Sequence, residues 1–222
     1  MRKSSSGSPL RLAALAAAVL GIVLIAVAAV LWLRPAPPSG SSATGQGGSA
    51  AVVKLGPGAA IGGSFTLVDH TGTTVSSDAF AGRFMLIYFG FTHCPDVCPT
   101  ELQTMANTMD ALGDDATRVV PIFITIDPQR DTPGQLKDYV AAFDPAMVGL
   151  TGSPDQIAAV AKLFKVYYSK APGGTDTDYQ VDHTSFIYLM GPDGVIRSLF
   201  RAGASDEAMA AEIRAQLRAS AG

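Results

Sequence analysis

The chain has 222 residues, of which 48% are hydrophobic, and its formal net charge at pH 7 is −3. The first 60 residues contain five basic residues and no acidic one, which leaves 11 basic and 19 acidic residues beyond them. The part after residue 60 therefore carries a charge of about −8, which repels nucleic acid phosphates and argues against a nucleic-acid partner.

An uncharged apolar segment at residues 12–33 predicts a single transmembrane helix, since it can cross a hydrocarbon layer of roughly 30 Å. Three basic residues precede it and one follows, so the positive-inside rule places residues 1–11 in the cytoplasm. A cleavable signal peptide is the main alternative, although its apolar region would be shorter. With eleven residues before the segment, little room remains for a mitochondrial presequence. We therefore expect a bacterial inner-membrane protein whose C-terminal domain lies in the periplasm.

Residues 34–59 are rich in proline, glycine, serine and alanine and contain few large apolar residues. Such a segment cannot bury enough surface to fold, so we predict a flexible linker that lets the following domain move over the membrane surface. About 160 residues remain at positions 60–222, which suits one folded domain with its own core.

Apolar patterns within this domain predict alternating strands and helices after an initial β-hairpin at residues 64–75. Capping boxes at Thr132 and Ser153 mark two helix starts, and Ser205 marks another. Further strands are predicted at residues 83–89, 119–125, 185–190 and 195–200. Alternation of this kind, with a hairpin near the C-terminus, predicts an α/β fold of the thioredoxin-like type.

Both cysteines of the chain, Cys94 and Cys98, lie in one loop between an apolar strand and an expected helix. If Pro99 and Thr100 begin that helix, both thiols lie at its N-terminal edge, where the helix dipole is expected to lower their pKa. A structural disulfide across so short a loop would add little stability, and unreactive cysteines are usually buried. A redox-active dithiol and a thiolate metal site both remain open.

A third ligand would separate these two interpretations, and the candidate is His183, which stands just before the apolar run 186–190. Two thiolates and one imidazole form a set that suits Cu(I), whereas structural zinc normally has four ligands. Copper is therefore favoured over zinc, although a lone histidine at a strand start is more often structural. His93 is considered as a transient ligand or proton donor, while Met105 and Met109 have the helical spacing of core residues.

Four polar residues are candidates for supporting roles. Asp182 adjoins the candidate histidine and would orient its imidazole. Asp127, Arg130 and Asp131 are expected at the same sheet edge as the cysteine loop. They form either an internally paired turn or a surface that supports the site or docks a partner. His70 falls in the turn of the first hairpin and is not expected to bind metal.

Three segments of the chain together resemble the SCO/SenC family of thioredoxin-like copper proteins, which assist cytochrome c oxidase assembly. They occur in the family's order, as Gly90–Pro99, Asp127–Pro133 and Asp182–Thr184. The resemblance extends over roughly residues 60–220. It implies that copper is bound by Cys94, Cys98 and His183.

Together with the predicted membrane helix, the resemblance implies a membrane-anchored copper metallochaperone, which is not an enzyme in the strict sense. It would carry Cu(I), and in some states Cu(II), to the copper centre of cytochrome c oxidase. The expected partners are a copper-receiving oxidase subunit, a copper donor protein or thiol reductant, and the membrane.

A rival interpretation is a thiol-disulfide oxidoreductase that acts on cysteines of an oxidase subunit or another periplasmic protein. One of Cys94 and Cys98 would attack the partner's disulfide, and the other would resolve the mixed disulfide. Peroxide reduction is a weaker third option. A disulfide between the two cysteines cannot bind copper as thiolates, so redox state would gate metal loading. His183 separates the alternatives, because a dithiol reductase does not need it.

Overall fold

The computed structural model describes residues 51–53, 55 and 60–220. The expected cytoplasmic N-terminus, the transmembrane helix and most of the expected linker lie outside these residues. Within the described ranges, no helix is both long enough and apolar enough to cross a membrane.

The described residues form strands β1 to β10 and helices α1 to α4. The first six strands are β1 Val52–Val53, β2 Thr66–Asp69, β3 Thr74–Ser76, β4 Phe84–Gly90, β5 Val119–Thr125 and β6 Val148–Thr151. The remaining strands are β7 Tyr168–Lys170, β8 Val181–His183, β9 Phe186–Met190 and β10 Ile196–Arg201. The helices are α1 Val97–Leu112, α2 Pro133–Ala141, α3 Pro154–Leu163 and α4 Asp206–Ala219.

Eight of these strands form one mixed sheet in the order β1-β10-β9-β4-β5-β6-β2-β3. Strands β4, β5 and β6 are parallel to one another, whereas β9 runs antiparallel to β4. All seven residues of β4 and all seven of β5 are buried, as expected for apolar runs in the middle of a sheet covered on both faces. The two central strands therefore provide a rigid base for the loops that follow them.

The helices complete the core, with α1 packed along α4, α2 against β6 and α3 against β2. Met105 and Met109 of α1 are 0% and 7% exposed, which confirms their assignment to packing. The capping boxes predicted at Thr132 and Ser153 are both formed, and Ser205 caps α4. The predicted N-terminal hairpin is also confirmed, since β2 pairs antiparallel with β3.

Strand β6, Val148–Thr151, was not predicted by the sequence patterns, and two further features differ from the sequence-based expectation. Val52 and Val53 were expected in the flexible linker, but they form β1 and pair with Phe200 and Leu199 of β10. The expectation was wrong for these two residues, because β-branched side chains at a free sheet edge extend the sheet even within a glycine-rich segment. The second feature is a separate two-stranded sheet, β7–β8, which the sequence pattern did not predict.

Candidate metal centre

The site lies where β4 and β5 end side by side, with Gly90 opposite Thr125 in the parallel register. The loop after β4 carries the cysteines, and the loop after β5 carries Asp131. The buried Asp131 carboxylate accepts hydrogen bonds from the Thr92 backbone N–H (3.0 Å), the Thr92 hydroxyl (2.6 Å) and the Thr125 hydroxyl (2.6 Å). Asp131 therefore joins the two loops and fixes the start of the cysteine loop.

Cys98 is fully buried in the first turn of α1. This helix begins at Val97, two residues earlier than the sequence suggested. A side chain at Gly90 would place its Cβ 2.9 Å from the Cys98 sulfur, so the missing side chain of Gly90 provides the space that this sulfur occupies. The Tyr88 hydroxyl donates a hydrogen bond to the same sulfur at 3.8 Å and lies 3.0 Å from the Ser185 hydroxyl oxygen.

Cys94 lies before the helix and is half-buried. Its sulfur accepts a hydrogen bond from the backbone N–H of Cys98 at 3.4 Å. Asp96, at the N-cap position of α1, makes no side-chain capping bond. The Cys94 sulfur is therefore the hydrogen-bond acceptor for one of the free N–H groups at the start of the helix.

The expectation of a lowered thiol pKa is wrong for Cys98. Burial raises the pKa of the Cys98 thiol to about 12, since the thiolate is poorly solvated there. A hydrogen bond with the backbone of Phe91 only partly opposes this effect. The thiol of metal-free Cys98 is accordingly protonated at neutral pH, and a bound metal ion would be needed to stabilise its thiolate.

His183, the last residue of β8, meets the cysteines from the other side of the site. Its Nε2 lies 3.6 Å from the Cys98 sulfur, and its Nδ1 lies 3.0 Å from the Thr184 carbonyl oxygen. Because a carbonyl only accepts, Nδ1 carries the proton and Nε2 keeps its lone pair toward the sulfur. Burial lowers the pKa of His183, which favours this neutral form.

The groups that orient the His183 imidazole do not include Asp182, which was the expected one. Asp182 is exposed, and the described partner of Nδ1 is the Thr184 carbonyl. The rings of Tyr88 and Phe91 pack edge-on to the imidazole, with centroid distances of 6.2 and 6.0 Å. Asp182 acts only through its charge, which partly opposes the lowering of the His183 pKa.

The other histidines have separate roles. His70 lies in the hairpin turn, as expected, and its Nδ1 accepts a hydrogen bond from the Gly149 backbone N–H at 3.0 Å. The His93 side chain is 45% exposed, and its Nδ1 lies 3.1 Å from the Thr92 hydroxyl and 3.8 Å from Asp131. These partners anchor His93 beside the cysteine loop and do not include either sulfur.

The predicted site residues are thus only partly brought together. Cys98 is in contact with both Cys94 and His183 through the bonds described above. Within the described part of the chain, no three histidine, cysteine or acidic side chains already converge at metal-binding distances. The predicted set therefore needs a local rearrangement before all three side chains can bind one ion.

Several site residues were given no role in the sequence-based prediction, although Gly90, Thr92 and Thr184 lie within the segments that resemble the family. Tyr88 and Gly90 stand in an apolar strand, and nothing in their spacing distinguishes them from core residues. Thr92 and Thr184 act through a hydroxyl and a backbone carbonyl, and both lie beside residues that were singled out. The Asp127–Asp131 segment was recognised, and the structure places Asp131 behind the cysteine loop.

A dithiol at the start of a helix, after a central parallel strand and facing an imidazole, defines a thioredoxin-like protein with the donor set of a soft-metal site. The model of the SCO1/SenC family matches residues 53–218, and the chain belongs to this family. The family suggested by the three sequence segments is thereby confirmed.

Known relatives agree with this assignment. The human protein SCO1 homolog, mitochondrial, is 44% identical over 160 residues, which cover 71% of this chain and 53% of the human protein. The chain spans between half and two thirds of the length of the first relatives it matches.

Two solved structures extend the comparison. Bradyrhizobium japonicum ScoI with copper bound is 46% identical, with a TM-score of 0.65 and coverage of 70% of this chain and 98% of that one. BsSco, a member of the Sco family of cytochrome c oxidase assembly proteins in which a disulfide switch was identified, is 30% identical. Its TM-score is 0.56, with coverage of 69% of this chain and 91% of that one. The expected thioredoxin-like fold is confirmed by these structures.

Proposed function

We propose that this protein is a copper metallochaperone that binds one copper ion through Cys94, Cys98 and His183. The observation that carries the proposal is the 3.6 Å approach of the His183 Nε2 lone pair to the Cys98 sulfur. Two sulfurs and one imidazole suit Cu(I), and the imidazole also allows Cu(II). The relative from Bradyrhizobium japonicum, which was solved with copper bound, supports this choice of metal.

Copper loading would require small changes at the site. The Cys94 sulfur leaves the Cys98 N–H, and each thiol gives up its proton to solvent as its sulfur binds the ion. His183 is already neutral and contributes Nε2 without losing a proton. We therefore expect copper affinity to rise with pH, because protons are released on binding.

The recipient we propose is the copper centre of cytochrome c oxidase during assembly. This rests on the description of BsSco as a member of a family of oxidase assembly proteins. Copper would pass by ligand exchange, in which ligands of the receiving subunit replace those of this site one at a time. Each released sulfur of this site then regains a proton.

For cellular location we propose a bacterial inner-membrane protein, anchored by residues 12–33, with its copper domain in the periplasm. The uncharged apolar segment and the basic residues before it support this orientation. Fusion of alkaline phosphatase to the C-terminus should give an active reporter, since that enzyme requires export. An inactive fusion, with an active cytoplasmic reporter at the same point, would contradict the orientation.

A second candidate function is thiol-disulfide exchange on a partner protein. The half-buried Cys94 and the fully buried Cys98 fit an attacking and a resolving cysteine, respectively. The disulfide switch identified in BsSco supports redox chemistry at such a pair. Both functions use the same sulfurs, so a Cys94–Cys98 disulfide would block copper binding until it is reduced.

The deciding experiment compares Cys94→Ser, Cys98→Ser, His183→Ala and His70→Ala. Each of the first three should lower copper affinity by more than the roughly 10–100-fold typical of losing a hydrogen-bond partner of a ligand. His70→Ala is the control and should bind copper normally. Competition with a Cu(I) chelator measures the affinities. The opposite result would be that His183→Ala binds one copper ion tightly and that oxidase assembly fails only in the cysteine variants. That result would favour thiol-disulfide exchange.

A further inference from the structure

The hairpin β7–β8, which carries His183, stands apart from the main sheet. Among the described strands, β7 and β8 pair only with each other, and His183 lies opposite Tyr168. A cavity of about 170 Å³ separates this hairpin from residues 126–129. The hairpin therefore packs incompletely against residues 126–129, and side-chain contacts hold it to the rest of the domain.

Arg130 adds a connection between this hairpin and the cysteine loop, besides the packing of the His183 ring on Phe91. Its guanidinium carbon lies 3.6 Å from the ring centroid of Tyr179, which belongs to the hairpin connection. The same carbon lies 5.9 Å from the ring centroid of Phe91, in the cysteine loop. One side chain thus touches both segments that carry the proposed copper ligands.

Asp127 holds Arg130 and Tyr179 in this arrangement through two hydrogen bonds. Its carboxylate accepts a hydrogen bond from Arg130 Nε at 2.5 Å and another from the Tyr179 hydroxyl at 2.7 Å. Asp127 is only 4% exposed, so both bonds form away from solvent, where charge-assisted hydrogen bonds are strong. The arginine and the tyrosine are held to each other and to one carboxylate.

The surroundings of Arg130 favour a planar guanidinium over an ammonium. Its Nη2 is buried and has no hydrogen-bond partner among the described residues, so the aromatic faces supply much of its remaining stabilisation. Cation–π attraction strengthens when the cation is desolvated. The Lys170 ammonium already lies 3.8 Å from the Tyr179 ring centroid. A lysine at position 130 would carry the same charge as the arginine but would lack the planar guanidinium face and its Nε donor.

We propose that Arg130 and Tyr179 form a clamp that positions His183 against Cys98 and thereby sets how long copper remains in the site. The copper part of this inference rests on the proposed function, whereas the positioning is a property of the metal-free protein. When the clamp opens, the hairpin leaves the cysteine loop and His183 leaves the ligand set. Copper held by two sulfurs alone is then released faster to an acceptor.

The first test measures hydrogen exchange in the full-length, metal-free protein. Arg130→Lys and Tyr179→Leu should speed amide exchange at residues 168–183 by about tenfold, while β4 and β5 exchange at wild-type rates. Matched controls are Arg197→Lys, which alters an ion pair with Asp193, and Tyr167→Phe, which keeps the exposed ring beside β7 and removes only its hydroxyl bond to Ser169. Neither control should change exchange in the hairpin. Unchanged exchange in both clamp variants would overturn the proposal.

The second test measures the transfer of Cu(I) to a chelator. Tyr179→Leu and Arg130→Lys should release copper about tenfold faster than the wild type. Adding Tyr179→Leu to His183→Ala should cause no further acceleration, because the clamp acts through His183. An additive effect would mean that the clamp stabilises the site without positioning His183, which contradicts the proposal. If the wild type binds no copper, the proposed function fails, while the exchange experiment still decides whether the clamp exists.

Discussion

The Cys98 sulfur occupies a space that is closely defined by its neighbours. A Cβ at Gly90 would lie 2.9 Å from this sulfur, a distance that real Cβ atoms essentially never show, and 3.0 Å from ring atoms of Phe123 and Tyr88, which is tighter than most real Cβ contacts. The rings belong to the buried core and cannot move aside without disturbing β4 and β5. The geometry of the sulfur is thus determined by the core beneath it.

Gly90→Ala should therefore destabilise the protein and weaken copper binding. Overpacking of this kind typically lowers the free energy of unfolding by about 1–3 kcal/mol. The control is Gly134→Ala in α2, where an added Cβ meets no atom within 4 Å. Chemical denaturation and copper competition measure both effects. Wild-type stability in Gly90→Ala would show that the contact around Cys98 is looser than the structure indicates.

Glu101, one turn after Cys98 in α1, is a second buried residue with an unusual environment. One carboxylate oxygen accepts a hydrogen bond from the Gly203 backbone N–H at 2.9 Å, and the other is buried without a partner among the described residues. Burial raises the pKa of Glu101 above its ordinary value of 4.5. The folded protein consequently retains this proton at pH values where the unfolded chain has lost it.

This difference predicts the direction of a pH effect on stability. The contribution of Glu101 to the free energy of unfolding should fall as the pH rises from 4.5 through the raised pKa, since the folded state binds more protons there. Glu101→Gln removes the ionisation and should make stability less dependent on pH in this window. Urea denaturation at several pH values measures the change. An unaltered pH dependence in Glu101→Gln would contradict a raised pKa.

The helices differ in how the free N–H groups at their N-termini are hydrogen-bonded. Helices α2 and α3 begin with complete capping boxes at Thr132 and Ser153. Helix α1 instead has the Cys94 sulfur beside the Cys98 N–H. A sulfur is a weak acceptor, so it can leave the helix to bind a metal at small cost. The start of α1 is thus adapted to the site, whereas the other two starts serve stability.

Ser153→Ala should lower the free energy of unfolding by about 1 kcal/mol, because it removes a side-chain cap from α3. Copper affinity should not change, since α3 supplies none of the proposed ligands. Denaturation and copper competition on the same protein separate the two properties. A loss of copper affinity that exceeds the loss of stability would show that α3 supports the metal centre directly.

The elements also show what sequence patterns reveal and what they miss. Long apolar runs and capping boxes predicted β4, β5, α2 and α3, because each signal is contained within its own segment. Strands β7 and β8 have only three residues each and no clear alternation, so local patterns could not reveal them. Their pairing depends on contacts across the connection that contains Tyr179.

The candidate site was predicted only in part, because several of its contacts also lack a local sequence signal. Cys94, Cys98 and His183 could be chosen from residue type and from resemblance to a family. The contact between Thr92 and Asp131 joins residues 39 positions apart, and the contact between Tyr88 and Ser185 joins residues 97 positions apart. Neither pair has a local signature. The raised pKa of Cys98 could not be predicted either. The sequence shows the helix N-terminus, which lowers the pKa of a thiol, but the burial that outweighs this effect is visible only in the folded structure.

The main sheet extends further toward the N-terminus than composition suggested. Strand β1 adds to the free edge of β10, with Val52 opposite Phe200 and Val53 opposite Leu199. Both valines are half-buried, so they cover part of the edge and contribute packing as well as backbone hydrogen bonds. The folded unit therefore includes residues that precede position 60.

Two truncated proteins can test this boundary. Residues 51–222 and residues 60–222 should both fold, because the central strands and all four described helices are present in each. The shorter protein lacks two cross-strand pairs and should be less stable by about 1 kcal/mol. For a domain of this size, that loss lowers Tm by about 2–4 °C. Calorimetry measures the difference, and Val53→Ala in the longer protein should reproduce part of it. Equal Tm values would mean that β1 adds no stability and that residues 51–59 act as linker, as composition alone suggested.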